Sequence, residues 1–332
     1  MAMAIDIHTH VVPIDFPAYG GRHGGARWPQ MQAADCGHRS VMIDGKVFRT
    51  VSQECWDIDR RRAAMEAAGI SHQVLSPMPE LLSYWLAPED ALALCRHIND
   101  TIGNMVDEAP DLFSGLGCVP LQDPELSVRE LERLMSGGRF KGVEIGTNVN
   151  GVPIGDPRFE PFFAAAESLG AAVFVHALHP AGLDRLVGPP ALAQLVAFPG
   201  ENALAIASMM TGGTLDRHPG LRIAFSHGGG GFALTLPRLM FGWHHLDLGG
   251  RASRSPLEQA RSVFYDTLVY DGPTLLHLIE TFGVSQLCLG TDHPFAIQEL
   301  QPVSRIDALD LTADDKELLL QSNAQRFLGE CC

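Results

Sequence analysis

Two histidines stand two residues apart in the run Ile5-Asp6-Ile7-His8-Thr9-His10. A strand points residues i and i+2 to the same side, so both imidazoles can reach one metal ion. Similar groups close other apolar runs. His176 lies near the end of 171–177, His227 near the end of 222–228, and Asp292 within 286–294. Imidazole and carboxylate ligands suit Zn2+, and less often iron, manganese or cobalt. Singly, each group also has an ordinary reading. A strand-end histidine often bonds a loop carbonyl, and Asp292, ahead of His293-Pro294, reads as a turn residue. Their joint recurrence favours the metal.

The elements that carry these groups recur with a rhythm. Short β-branched and apolar runs fall at 5–10, 72–77, 113–120, 141–146, 171–177, 222–228, 263–269 and 286–294. Such runs fit buried parallel strands. Helical patterns lie between them, at 57–69, 88–110, 123–138, 156–170, 202–210, 232–242, 272–283 and 312–329. Asp or Thr starts several of these and Gly ends several, as helix start and stop signals require. Strands alternating with helices predict an α/β fold, a (β/α)8 TIM-type barrel. An open doubly wound sheet is the competing architecture. It is weakened because no G-x-G-x-x-G follows the first strand. The glycines after His227 follow the sixth strand and lead to no Lys-Ser/Thr, so they make no phosphate loop. In a barrel the chemistry sits at the carboxyl ends of the strands. There His8, His10, His176, His227 and Asp292 would ring one mouth.

Residues 14–52 interrupt the rhythm. Asp44-Gly45 reads as a hairpin turn, and we take the segment as a small β insertion, or lid, after the first strand. No linker marks a second domain, so 1–332 reads as one barrel domain.

The composition narrows the partners. The chain has 332 residues, 46% hydrophobic, with a formal net charge of −15. That charge repels phosphate backbones and anionic membranes, so neither nucleic acid nor a membrane is expected as a partner. The start has no basic n-region or long apolar stretch, and no run is long and apolar enough for a membrane helix. The seven cysteines are scattered without a CxxC pair. We therefore expect a cytoplasmic protein with reduced thiols, the adjacent Cys331 and Cys332 being mere tail.

Taken in order, "IDIHTH", "VFVHA", "FSHGGGGFALTLPRL" and "LGTDHPF", with "FRTVSQECWD" (48–57) and "VPLQD" (119–123), resemble the amidohydrolase superfamily. The branch they resemble is that of the metal-dependent decarboxylases around 2-amino-3-carboxymuconate 6-semialdehyde decarboxylase. The resemblance implies a distorted barrel and one divalent metal ion, usually zinc. It implies His8, His10, His176 and Asp292 as ligands, and His227 as the catalytic histidine beside a metal-bound water. A bound Zn2+ lowers the pKa of water from 15.7 to about 7, and His227 would accept or return that proton. Metal and Asp292 would stabilise the charge that develops as CO2 leaves. Two-metal relatives need a modified lysine at the end of the fourth strand. Lys141 begins that strand, so one metal is favoured.

The resemblance further implies that Arg49 and Arg238 clamp the carboxylates of a small anionic substrate. Arg238 would come from the neighbouring subunit of a homodimer. Without the resemblance Arg238 reads as a surface residue. Lys46 and Trp56 in the insertion, and Phe295 beyond Asp292, are further substrate-binding candidates. They read equally well as a turn lysine, a core residue and a packing residue. Two departures bear on the substrate. Ala177-Leu178-His179 follows His176 where the family tends to have Pro-Trp and an acid. Glu144 replaces an uncharged polar residue, and its charge needs a partner if it points inward. His244-His245 does not read as a second metal site, because adjacent helical residues point about 100° apart.

The expected function is a metal-dependent, non-oxidative decarboxylase, a carboxy-lyase acting on a small unsaturated or aromatic acid. The same metal site could serve a hydrolase of a lactone or amide. From another class, the chain could be a metal- and ligand-binding barrel without catalysis.

Overall fold

The barrel strands form where the apolar runs predict them, and the sheet order follows the chain. In the computed structural model, residues 3–23, 27–246 and 253–330 are described. The strands are β1 (Ile5–Val11), β2 (Gln30–Ala33), β3 (Arg39–Ile43), β4 (Lys46–Val51), β5 (His72–Pro77), β6 (Phe113–Gly117), β7 (Phe140–Gly146), β8 (Asn148–Val149), β9 (Val152–Pro153), β10 (Ala172–His176), β11 (Arg222–Phe225), β12 (Phe264–Asp266) and β13 (Leu287–Cys288). Eight of them make one sheet in the order β1-β5-β6-β7-β10-β11-β12-β13. The neighbouring pairs in this sheet run parallel. Backbone bonds join its two ends: Ile7 N donates to Leu289 O at 2.9 Å, Asp292 N to His8 O at 2.9 Å, and His10 N to His293 O at 2.7 Å. The result is a TIM-type barrel rather than an open sheet.

Helices cover the outside. They include α1 (Ile58–Ala68), α2 (Pro88–Glu108), α3 (Pro124–Ser136), α4 (Glu160–Leu169), α5 (Phe198–Thr211), α6 (Thr214–Arg217), α7 (Phe232–His245), α8 (Pro256–Ala260), α9 (Gly272–Phe282), α10 (Pro302–Asp307), α11 (Ala313–Glu317) and α12 (Asn323–Leu328). The caps are those the sequence suggests. Asp57, Asp123 and Thr312 accept from the backbone three residues on, and Gly69 ends α1 in a left-handed conformation.

Four elements differ from expectation. The last helix runs on as expected but widens over Leu318–Ser322, between α11 and α12. The last strand is shorter than 286–294, because the chain leaves the extended conformation and Asp292 takes φ +65°. Helix α8 is capped reciprocally by Ser255 and Glu258, a Ser-x-x-Glu signature that was present in the sequence. Between β1 and α1, the Asp44-Gly45 hairpin (β3–β4) is joined by β2 into a three-stranded antiparallel sheet. β2 reads Gln-Met-Gln-Ala and is mostly exposed, so it carries no hydrophobic signature.

One irregularity positions the site. The pairing of β1 with β5 shifts register between Asp6 and Thr9, a bulge of the kind found beside active sites. Below it, Ile5 and Ile7 pack in the barrel interior with Val74, Leu116, Phe174 and Phe264. Beside it, Thr9 bonds Val74 O, and Arg61 of α1 reaches Thr9, Gln73 and His10 O. The shift lets Ile7 and His8 both face inward. The floor of the barrel stays apolar while its upper layer becomes imidazole.

Candidate metal centre and pocket

The strand ends converge as expected. His8, His10, His176 and Asp292 each offer one ligand atom, and these atoms lie within 4.8 Å of one another. All four residues are buried. The second nitrogen of each imidazole is already engaged. His8 Nδ1 lies 2.6 Å from Asp266 Oδ2, His10 Nδ1 lies 2.9 Å from Pro77 O, and His176 Nδ1 lies 2.8 Å from Ala177 O. A carbonyl or carboxylate only accepts, so each Nδ1 carries the hydrogen. Each Nε2 therefore presents a lone pair to the centre. His8 Nε2 and His10 Nε2 stand 3.1 Å apart, while His176 Nε2 is buried without a partner. At that distance a positive charge must lie between the two nitrogens, either a proton on His8 or a metal ion. The donor set fits a single divalent ion.

The charges point the same way. Burial alone would push His8 down, but its bond to Asp266 and the Asp292, Asp266 and Glu144 carboxyls bring it up to about 9. Burial would raise Asp292, yet His10, His8 and His227 hold it down at about 2. The centre thus favours a positive charge among anions, which a metal ion supplies. His176 is held well below the usual imidazole range by burial and by its histidine neighbours, so it stays a neutral ligand.

His227 stands beside this group without joining it. Its ring centroid is 5.0 Å from that of His176 and 5.3 Å from that of His8, and its Nε2 is 4.0 Å from Asp292 Oδ2. Asn202 Nδ2 donates to Ser226 O at 2.9 Å and approaches His227 Nδ1 at 3.3 Å. That contact makes Nδ1 an acceptor and puts the ring's proton on Nε2. Burial, with the His8 charge, lowers His227 to about 4, so the ring is neutral near pH 7. The turn that carries it needs its glycines. A Cβ on Gly230 would lie 1.7 Å from Pro199 O, and the N–H groups of His227 and Gly228 donate to Asp266 at 2.9 and 2.8 Å. Asp266 thus orients the ligand His8 and the His227 turn together. Sequence reasoning passed over Asp266, although it ends β12 as the ligands end theirs. It also missed Asn202, for which the sequence carried no signal.

The other candidates divide. A narrow cleft beside the centre is lined by Arg49, Glu80, His176, His227, Asp292 and Phe295, among others. Phe295 stacks on His10 with ring centroids 4.9 Å apart, and the Arg49 guanidinium lies 4.4 Å from the Phe295 ring centroid. Lys46 does not reach this cavity; it begins β4 at the exposed hairpin tip. Trp56 packs half-buried against the core and lines a different hollow. Arg238 is exposed on α7 and has no ion-pair partner among the described residues. Glu144 points inward, fully buried, and Ser76 Oγ donates to it at 2.6 Å. Burial raises its carboxyl well above the usual range, and its Oε2 lies 3.7 Å from His10 Nδ1. Lys141 pairs with Glu330 at 3.0 Å, away from the centre. His244 and His245 are exposed on the last turn of α7, where His245 packs on Phe241. Cys331 and Cys332 lie outside the described residues.

Comparison with known proteins now adds to the geometry. The chain matches the Amidohydrolase family over residues 5–329. It is 38% identical to the 2-amino-3-carboxymuconate-6-semialdehyde decarboxylase of Dictyostelium discoideum, over 99% of this chain and 92% of that protein. Among solved structures it resembles 5-carboxyvanillate decarboxylase from Sphingomonas paucimobilis, with a TM-score of 0.75 and 27% identity over 81% of this chain and 82% of that one. It also resembles the 5-carboxyvanillate decarboxylase of Novosphingobium aromaticivorans, complexed with manganese and a nitrobenzoic acid, at a TM-score of 0.72 and 25% identity over 82% of this chain and 80% of that one. The chain belongs to the amidohydrolase family, in the branch represented by the 2-amino-3-carboxymuconate-6-semialdehyde decarboxylases.

Proposed function

We propose that this protein is a metal-dependent, non-oxidative decarboxylase, a carboxy-lyase acting on a small unsaturated or aromatic acid of the aminocarboxymuconate semialdehyde type. The observation that carries the reading is the convergence of three Nε2 lone pairs and Asp292 beside a cavity that also holds Arg49 and His227. His8, His10, His176 and Asp292 would hold one divalent ion. Zinc suits the His3Asp donor set, and manganese is the ion found in one related structure. When bound, the ion supplies Lewis-acid stabilisation of negative charge.

The chain's own residues do the rest. Arg49 binds a carboxylate, its planar donors matching the two oxygens. Phe295, stacked on His10 and covered by the Arg49 guanidinium, holds both in place at the pocket wall. His227 handles a proton at Nε2. The reaction needs a proton, because it replaces a carboxylate with hydrogen. One proton adds to the carbon, the C–C electron pair stays with that carbon, and CO2 departs. The buried walls keep bulk water from the reacting carbon.

Arg238 completes the reading through a homodimer. It shares an exposed face of α7 with Leu234 and Phe241, 76% and 63% exposed, at helical spacings that place all three on one stripe. Such a stripe suits a subunit contact that delivers Arg238 to the neighbouring pocket. Mixing Arg238→Ala with His227→Asn subunits would then restore activity, since each mixed dimer regains one whole site. We assign the protein to the cytoplasm, on the free thiols of Cys36, Cys55, Cys95, Cys118 and Cys288. No helix among the described residues is long and apolar enough to cross a membrane. The test of the main reading is CO2 release by the metal-loaded protein from 2-amino-3-carboxymuconate-6-semialdehyde and from hydroxybenzoates. No release from either, with metal bound, would overturn it.

A further inference from the structure

The arginine that faces the pocket is not free. Arg49 donates from a terminal guanidinium nitrogen to Glu80 Oε1 at 2.8 Å. Glu80 sits in the single turn Pro79–Leu82 that follows β5 and is 6% exposed. Its other oxygen, Oε2, is buried and has no hydrogen-bond partner. Both side chains line the cavity that holds His176, His227 and Asp292.

Two consequences follow from charge and hydrogen bonding. The pair is neutral overall, so a bare dianion entering the pocket gains less from Arg49 than it would from an unpaired guanidinium, and it meets Glu80 as a like charge. A buried carboxylate oxygen left without a donor is costly, and a ligand bringing an N–H or O–H removes that cost. We propose that Glu80 is a specificity-determining residue. It selects acids that carry an amino or hydroxyl donor next to the carboxylate, the carboxylate going to Arg49 and the donor to Glu80 Oε2. This inference rests on the reading of the cavity as the decarboxylase pocket.

The test is a binding ratio on the metal-loaded protein, measured calorimetrically with two probes of similar size. One is 2,6-dihydroxybenzoate, whose hydroxyls flank its carboxylate. The other is benzene-1,3-dicarboxylate, a donor-free dianion. The wild-type protein should prefer the first. Glu80→Leu should weaken the first roughly tenfold or more, because a site built for a donor discriminates strongly, and leave the second as tight or tighter. Glu80→Gln, which keeps the side chain's size, should shift the ratio the same way by a smaller factor and decides the matter if the leucine variant does not fold. Equal weakening of both probes would overturn the proposal and leave Glu80 as a residue that merely positions Arg49. An absent wild-type preference would overturn it too. Binding needs no turnover, so a failed ratio and a failed CO2 assay are separate results.

Discussion

Two clusters in this molecule set imidazole against carboxylate and differ in chemistry. At the barrel mouth, each of His8, His10 and His176 has its Nδ1 bonded to protein and its Nε2 aimed at the others. On the outer wall, His218 has both nitrogens taken, Nε2 lying 2.7 Å from Glu160 and Nδ1 2.9 Å from Glu167. The second arrangement is closed: nothing is left over for an ion. Residue type does not make a ligand; one nitrogen held by the protein and one left to the centre does.

Substituting one member of each cluster should separate them most sharply. His10→Ala should abolish metal uptake and lower turnover by at least about a thousandfold, since the metal's electrostatic stabilisation goes with it. His218→Ala should keep a full metal content by elemental analysis. Equal metal loss in both would erase the distinction.

His227 tests the edge of the first cluster. His227→Asn should bind metal normally and lose about 10²–10⁴ in turnover, the usual worth of a positioned acid–base group. Loss of metal instead would make His227 a ligand. Asp266 tests the support beneath it. Asp266→Ala frees the Nδ1 of His8 and the N–H groups of the His227 turn, and should weaken metal binding about 10–100-fold in a competition titration with a chelator. Unchanged affinity would mean that the orientation of His8 is set elsewhere.

The smallest effect belongs to the outer cluster. Bonding to Arg217 lowers Glu160 from its ordinary value of 4.5, and bonding to His218 lowers Glu167. Carboxyls depressed in the folded state stabilise it above their unfolded value and cease to do so as pH falls through the folded one. Thermal melts should therefore show Glu160→Gln losing less stability than the wild type when pH falls from about 5 to 3. Both groups are partly solvent-exposed, so the difference should be slight. Identical pH profiles would mean that these bonds are not held in solution.

Much of this contrast was legible in the sequence. His8, His10, His176, His227 and Asp292 are found because a strand's two-residue repeat and the carboxyl-end rule of barrels are local and periodic; which four of them are ligands was implied by the family resemblance. Asp266 obeyed the same rule and was overlooked. The bulge in β1 could not be read, because it depends on pairing with β5. Nor could β2, whose polar residues carry no buried face. Arg238 is placed on the surface of one chain, and the reading that gives it a substrate belongs to an assembly. Glu80 needed Arg49 beside it to mean anything, and the two lie in different elements of the fold.

The central claim is that one divalent ion, held by His8, His10, His176 and Asp292, drives loss of CO2. The direct measurement strips the protein with a chelator, adds back Zn2+ or Mn2+ in steps, and follows bound metal and CO2 release together. The account predicts that release rises in proportion to metal and levels at one ion per chain. Full release from the stripped protein, or a plateau that needs two ions, would contradict it.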